Sequence, residues 1–141
     1  MTIGYVYHQG TYLCIDRKGQ VAASTHTLDE DLPVIRGLKV GDFMLGESLD
    51  TTDTERYEAV VSVCTILKKH ELSTVIKEVN VLALDDIILY TDEMDIHCGT
   101  MEDMEQKINA IAAILQEKDL PKGILHIEDL DQQVYIEPGK D

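Results

Sequence analysis

Residues 12–16, Tyr-Leu-Cys-Ile-Asp, run into a turn at Arg17-Lys18-Gly19 and resume at Gln20-Val21. A polar, acidic link then leads to Leu32-Pro33-Val34-Ile35-Arg36-Gly37-Leu38. Two short apolar runs joined by a turn that ends in glycine fold most readily as a hairpin, so the chain must build a sheet from its start. Upstream, residues 3–8 and 11–16 flank Gln9-Gly10, which predicts a second hairpin and an opening meander. Alternation sets Tyr12, Cys14 and Asp16 on one face and Leu13 and Ile15 on the other. Pro33 has no ladder donor, which confines it to a strand start or an edge.

The remainder alternates helix and strand patterns. Thr52 with Glu55 reads as a capping box, and Tyr57, Val60, Val61, Cys64 and Leu67 recur at helical spacing, so a helix is expected over residues 52–69. Strands are expected over 75–81, 86–91 and 95–98. A second helix, capped by Thr100 with Asp103, carries Met104, Ile108, Ile111, Ala112 and Leu115 as one stripe and stops before Pro121. Strands over 124–127 and 133–136 close the chain. The predicted fold class is α+β, a mixed and mostly antiparallel sheet with two helices packed on one face. With 141 residues, no internal repeat and no linker rich in Pro, Gly or Ser, residues 1–141 read as a single domain.

Composition narrows the function. Twelve Lys and Arg against 27 Asp and Glu leave a formal net charge of −15, spread along the chain as a solvated surface. Such a field repels phosphate backbones, so nucleic acid is not an expected partner. No apolar run approaches the ~18 residues of a membrane span. Cys14, Cys64 and Cys98 lie far apart without a Cys-x-x-Cys pair, and each sits in an apolar pattern, as buried small hydrophobes do.

Motifs for chemistry are weak. Gly41 to Gly46 has two glycines but no following Gly-Lys-Ser/Thr, so it reads as a plain loop. His8, His26, His70, His97 and His126 never fall at metal-binding spacing, and adjacent strand positions turn His97 and Cys98 to opposite faces. Asp92-Glu93-x-Asp95 lacks the spacing of a calcium loop. No nucleophile elbow is present. No cofactor and no metal are expected, and the chain reads as a non-enzyme. The alternative is a small metal-assisted hydrolase using the acids around Asp92 and Glu128.

One combination of elements is more specific. Tyr12-Leu-Cys-Ile-Asp-Arg-Lys-Gly19, Leu32-Pro33-Val34-Ile35-x-Gly37-Leu38, Ile76-Lys-Glu78-Val79, Ile88-x-Tyr90-Thr91, Cys98-Gly99 and Glu105-x-Lys107-Ile108-x-x-Ile111-x-x-Ile114-Leu115 occur in that order nearly end to end. In this the chain resembles the extracytoplasmic β domain of the bacterial cell division proteins FtsQ and DivIB. It departs from the family at His126, where an aspartate is usual, and at Glu93-Met94, where a turn glycine is usual.

The resemblance implies a non-catalytic division scaffold that binds coiled-coil partners of the FtsB/DivIC and FtsL type and helps control septal cell-wall synthesis. It also implies a parent anchored in the cell membrane at the septum, with a cytoplasmic tail, one transmembrane helix and a small POTRA domain ahead of this stretch. In the family the C-terminal region carries the partner contact. Here the last predicted strand, Gln133, Val134, Tyr135, Ile136 and Glu137, is the expected edge, because nothing after it remains to pair with it.

Overall fold

The computed structural model describes residues 2–28, 31–38, 54–117, 122–131 and 135–138. Among the described residues nine strands form a single sheet: β1 (Thr2–His8), β2 (Thr11–Asp16), β3 (Val21–Thr25), β4 (Val34–Arg36), β5 (Glu78–Asn80), β6 (Ile87–Tyr90), β7 (Met94–Gly99), β8 (Gly123–His126) and β9 (Tyr135–Pro138). Helix α1 (Thr54–Lys69) precedes β5 and helix α2 (Met104–Leu115) precedes β8. The spatial order is β3-β2-β1-β4-β5-β6-β7-β8-β9. Five of the neighbouring pairs are antiparallel, and β1·β4, β4·β5 and β7·β8 are parallel.

The expected meander forms through two hairpins, and alternation along β2 falls as the residues dictate. Leu13 and Ile15 enter the main core with Val60, Val63, Cys64 and Leu67 of α1 and Ile108 and Ile111 of α2. Tyr12 and Cys14 face the other side with Tyr5 and Val34. The helices therefore cover one face, and among the described residues no helix packs on the other, the open face. Cys14, Cys64 and Cys98 are all buried and outside any disulfide, and burial pushes the thiol pKa of Cys64 and Cys98 up to about 12.

Two glycines show why the motifs around β1 and β4 demand them. A Cβ on Gly4 would lie 2.8 Å from Ile35 Cδ1 and 3.3 Å from Cys64 Sγ, so a side chain there would displace the Ile35 tip and crowd α1. Gly37 sits at φ 87°, and a Cβ there would meet the Leu82 backbone, with Leu82 Cα at 2.7 Å. Pro33 occupies the residue before β4, and its carbonyl accepts the Tyr5 amide at 3.0 Å.

Some boundaries differ from the sequence pattern. The strand expected over 75–81 shrinks to Glu78–Asn80, because the Val75 and Ile76 amides bond back to the Leu72 carbonyl in a turn. Helix α2 has no side-chain cap: Asp103 adopts a left-handed conformation, and the Thr100 hydroxyl instead accepts the Glu102 amide. Thr52, the other proposed cap, and the 41–46 loop lie outside the described residues. Lys107, 3% exposed, donates to the Cys98 carbonyl at 2.8 Å and the Thr100 carbonyl at 3.1 Å. That fastens α2 to the end of β7 by charge-assisted bonds.

Candidate functional site

The sheet has two edges, and β9 is one of them. It runs antiparallel to β8, in the register Gly123↔Pro138, Ile124↔Glu137, Leu125↔Ile136 and His126↔Tyr135, without a shift. Its backbone directions follow from β8. The Gly123 amide donates to the Glu93 carbonyl and the Ile127 amide to the His97 carbonyl, so odd residues of β8 bond toward β7. Within a strand the N–H and C=O of one residue point the same way and the next residue's point oppositely, so Ile124 and His126 bond toward β9. Their partners Glu137 and Tyr135 therefore use their backbone groups inward. Ile136 and Pro138 turn theirs outward, and Pro138 has no N–H to offer.

Side chains follow the same alternation. Ile136 is half-buried against the main core, while Tyr135 is 50% exposed on the open face. The Tyr135 ring stacks on His126 with centroids 4.5 Å apart and planes at 17°, and His126 stacks on His97 at 5.5 Å and 23°. This aromatic ladder crosses β7, β8 and β9. His126 is gripped at both nitrogens: Nδ1 lies 3.1 Å from Glu128 Oε2, and Nε2 lies 3.0 Å from Glu137 Oε1. Two ionised carboxylates accept only, so both contacts are hydrogen bonds when the ring is an imidazolium. Burial by itself lowers the His126 pKa, but the bonds and charges of Glu128 and Glu137 outweigh it and raise the value above that of an ordinary histidine. At the next rung, His97 Nδ1 meets Asp86 Oδ1 at 3.0 Å.

Of the residues expected at the site, Tyr135, Ile136 and Glu137 lie together on this edge, while Gln133 and Val134 fall outside the described residues. The register turns the Tyr135 amide toward β8, so on this strand the outward main-chain donor belongs to Ile136. His97 and His126 were not expected as part of the site. Their signal was their even-odd phase on strands that only the fold makes neighbours.

The acids invoked for hydrolase chemistry do not converge. Asp92 and Glu93 line a cavity of about 690 Å³ with Lys77 and Thr74 at the start of β7. Glu128 packs on Gly99 at that strand's far end. At ~3.3 Å per residue the length of β7 holds them about 17 Å apart. Among the described residues no three His, Cys, Asp or Glu are grouped as metal ligands.

The family model for the C-terminal region of cell division protein FtsQ/DivIB matches residues 4–133. The chain belongs to the FtsQ/DivIB family. No curated protein matches it, and no solved structure does. Membership assigns it to cell division, in a family of non-catalytic, membrane-anchored proteins. Among the described residues no helix is long and apolar enough to cross a membrane. The FtsQ/DivIB match ends at Gln133, so Tyr135–Pro138 lies beyond it.

Proposed function

We propose that this chain is a single FtsQ/DivIB β domain that works as a non-catalytic scaffold of the division machinery. It binds partners of the FtsB/DivIC and FtsL type by strand addition at β9. Through that contact it helps control septal wall synthesis, from the extracytoplasmic side of a membrane-anchored parent at the septum. The observation that carries this reading is the outward N–H and C=O of Ile136 on a regular edge strand. Such groups are completed by a partner's main chain, with alternate side chains supplying specificity.

The test is a pair of substitutions read by binding to the ectodomain of the DivIC-like partner. Ile136→Pro removes the outward donor and should abolish binding. Tyr135→Ala, at a half-exposed side chain, should weaken it and leave the fold intact. Binding undisturbed by Ile136→Pro in a folded protein would overturn strand addition at β9.

A further inference from the structure

Any strand that pairs with β9 meets two unlike faces. Tyr135 and Glu137 stand on the open face, and Ile136 points toward the helices and the core. The inner neighbour already matches this alternation. Leu125, 1% exposed, lies across from Ile136, whereas His126 lies across from Tyr135 and bridges Glu128 and Glu137. Strand β8 therefore gives an apolar residue to one face and a ring that can carry positive charge to the other.

Among the described residues the outer side has no such counterpart. None of the strands β6 to β9 contains a Lys or Arg, although Asp95 and Glu137 lie within them and Asp86 and Glu128 lie at their ends. Lys122 precedes β8 at the Pro138 end, and in sequence Lys140 follows β9. Glu137 and Glu128 keep half-exposed carboxylates, 53% and 42% accessible. Pro138 takes one donor out of the outer ladder, so main-chain bonds are few and side chains must choose the partner.

Resting on the strand-addition reading, we propose that β9 receives an alternating cationic strand. Its Lys or Arg residues lie beside Tyr135 and Glu137 on the open face, and a branched apolar residue lies beside Ile136. A cation there meets the tyrosine ring face and the Glu137 carboxylate, while its methylene stem covers the exposed ring. Cross-strand pairs of opposite charge are favourable, and an acidic strand is repelled. The contacts are half-exposed, so together they select a cationic strand by roughly fivefold to tenfold over a neutral one.

The experiment follows the Ile136 amide by NMR hydrogen exchange while the protein is titrated with synthetic peptides. The probes are an alternating Lys/Val heptapeptide, its Gln/Val and Glu/Val counterparts, and a peptide of the Lys/Val composition with the residues in blocks. The expected result is protection of Ile136 at a concentration five to ten times lower for Lys/Val than for Gln/Val. Glu/Val and the block peptide should be weakest, and Glu137→Gln should remove most of the difference. Amide shifts of β1 to β3 report that the variant is folded.

Equal protection by the Lys, Gln and Glu peptides would leave strand addition standing and overturn cation selection. A block peptide as effective as the alternating one would overturn the alternation. If the Lys peptide binds elsewhere and no peptide protects Ile136, strand addition itself is overturned and this inference falls with it.

Discussion

The two edges of the sheet are built from the same chemistry and differ in regularity. At β3 the register skips a residue: Cys14 faces Ala23 and Ile15 faces Val21, leaving Ala22 unpaired in a bulge. The exposed side chains there, Ala22, Ala23 and Ser24, offer little to grip. A bulge twists an edge away from any incoming strand, a common means of keeping sheets from adding to one another. At β9 four successive pairs keep register, an aromatic ring and a carboxylate stand on the open face, and Ile136 rests on the core. One edge is blunted and the other is left pairable, which is why position in the sheet alone does not identify a docking site.

The largest expected effect separates the edges by their outward donors. Ile136→Pro should lower affinity for the partner ectodomain by ~3 kcal/mol or more, over a hundredfold, while Ser24→Pro at β3, whose amide is likewise turned outward because its partner Leu13 bonds toward β1, changes it little. Tyr135→Pro removes a donor that bonds to β8 and should instead loosen β9 itself, seen as lost protection of the Glu137 amide. Equal losses of binding from Ser24→Pro and Ile136→Pro would show that the two edges are equivalent.

Next in size is the core both edges share. Leu125 beneath β8 and Leu13 beneath β2 are both fully buried in one cluster with α1 and α2. Each Leu→Ala substitution should cost about 3 kcal/mol in denaturant unfolding, in one cooperative transition. Two transitions would mean that the halves of the sheet fold independently. Tyr135→Ala should cost under ~1 kcal/mol of stability, since half of the ring is already solvated, yet weaken the partner complex about fivefold to tenfold by calorimetry.

The smallest effect is that of pH. The folded pKa of His126 is raised, so its contribution to stability is present in full below the unfolded value and is lost as pH rises through the folded one. Exchange at the Tyr135 and Glu137 amides should therefore quicken, beyond its intrinsic increase, as pH rises above the ordinary histidine value of about 6.5. The amides of β3, where no histidine bridges two carboxylates, should follow the intrinsic rate. A His126→Asn variant should lose the pH dependence at β9.

Much of this architecture was legible because periodicity reports burial directly. The alternation of Leu13 and Ile15 against Tyr12 and Cys14, and the stripe through Ile108 and Ile111, are consequences of a covered face. Strand limits were less legible: residues 75–81 are apolar enough for a strand, but a turn closing on Leu72 claims Val75 and Ile76 first. The edge at β9 was readable as a chain-end strand. Which of its amides faces outward was not, since that depends on the bonding phase of β8 against β7. The His97-His126-Tyr135 ladder was hidden for the same reason, its members being separated in sequence and joined only by the parallel crossover.

The most direct measurement is amide exchange along β9, in the protein alone and bound to the ectodomain of its DivIC-like partner. Strand addition at β9 requires that Tyr135 and Glu137 are protected in both states and that Ile136 exchanges freely alone and becomes protected in the complex. An Ile136 amide that still exchanges freely in a formed complex would contradict it.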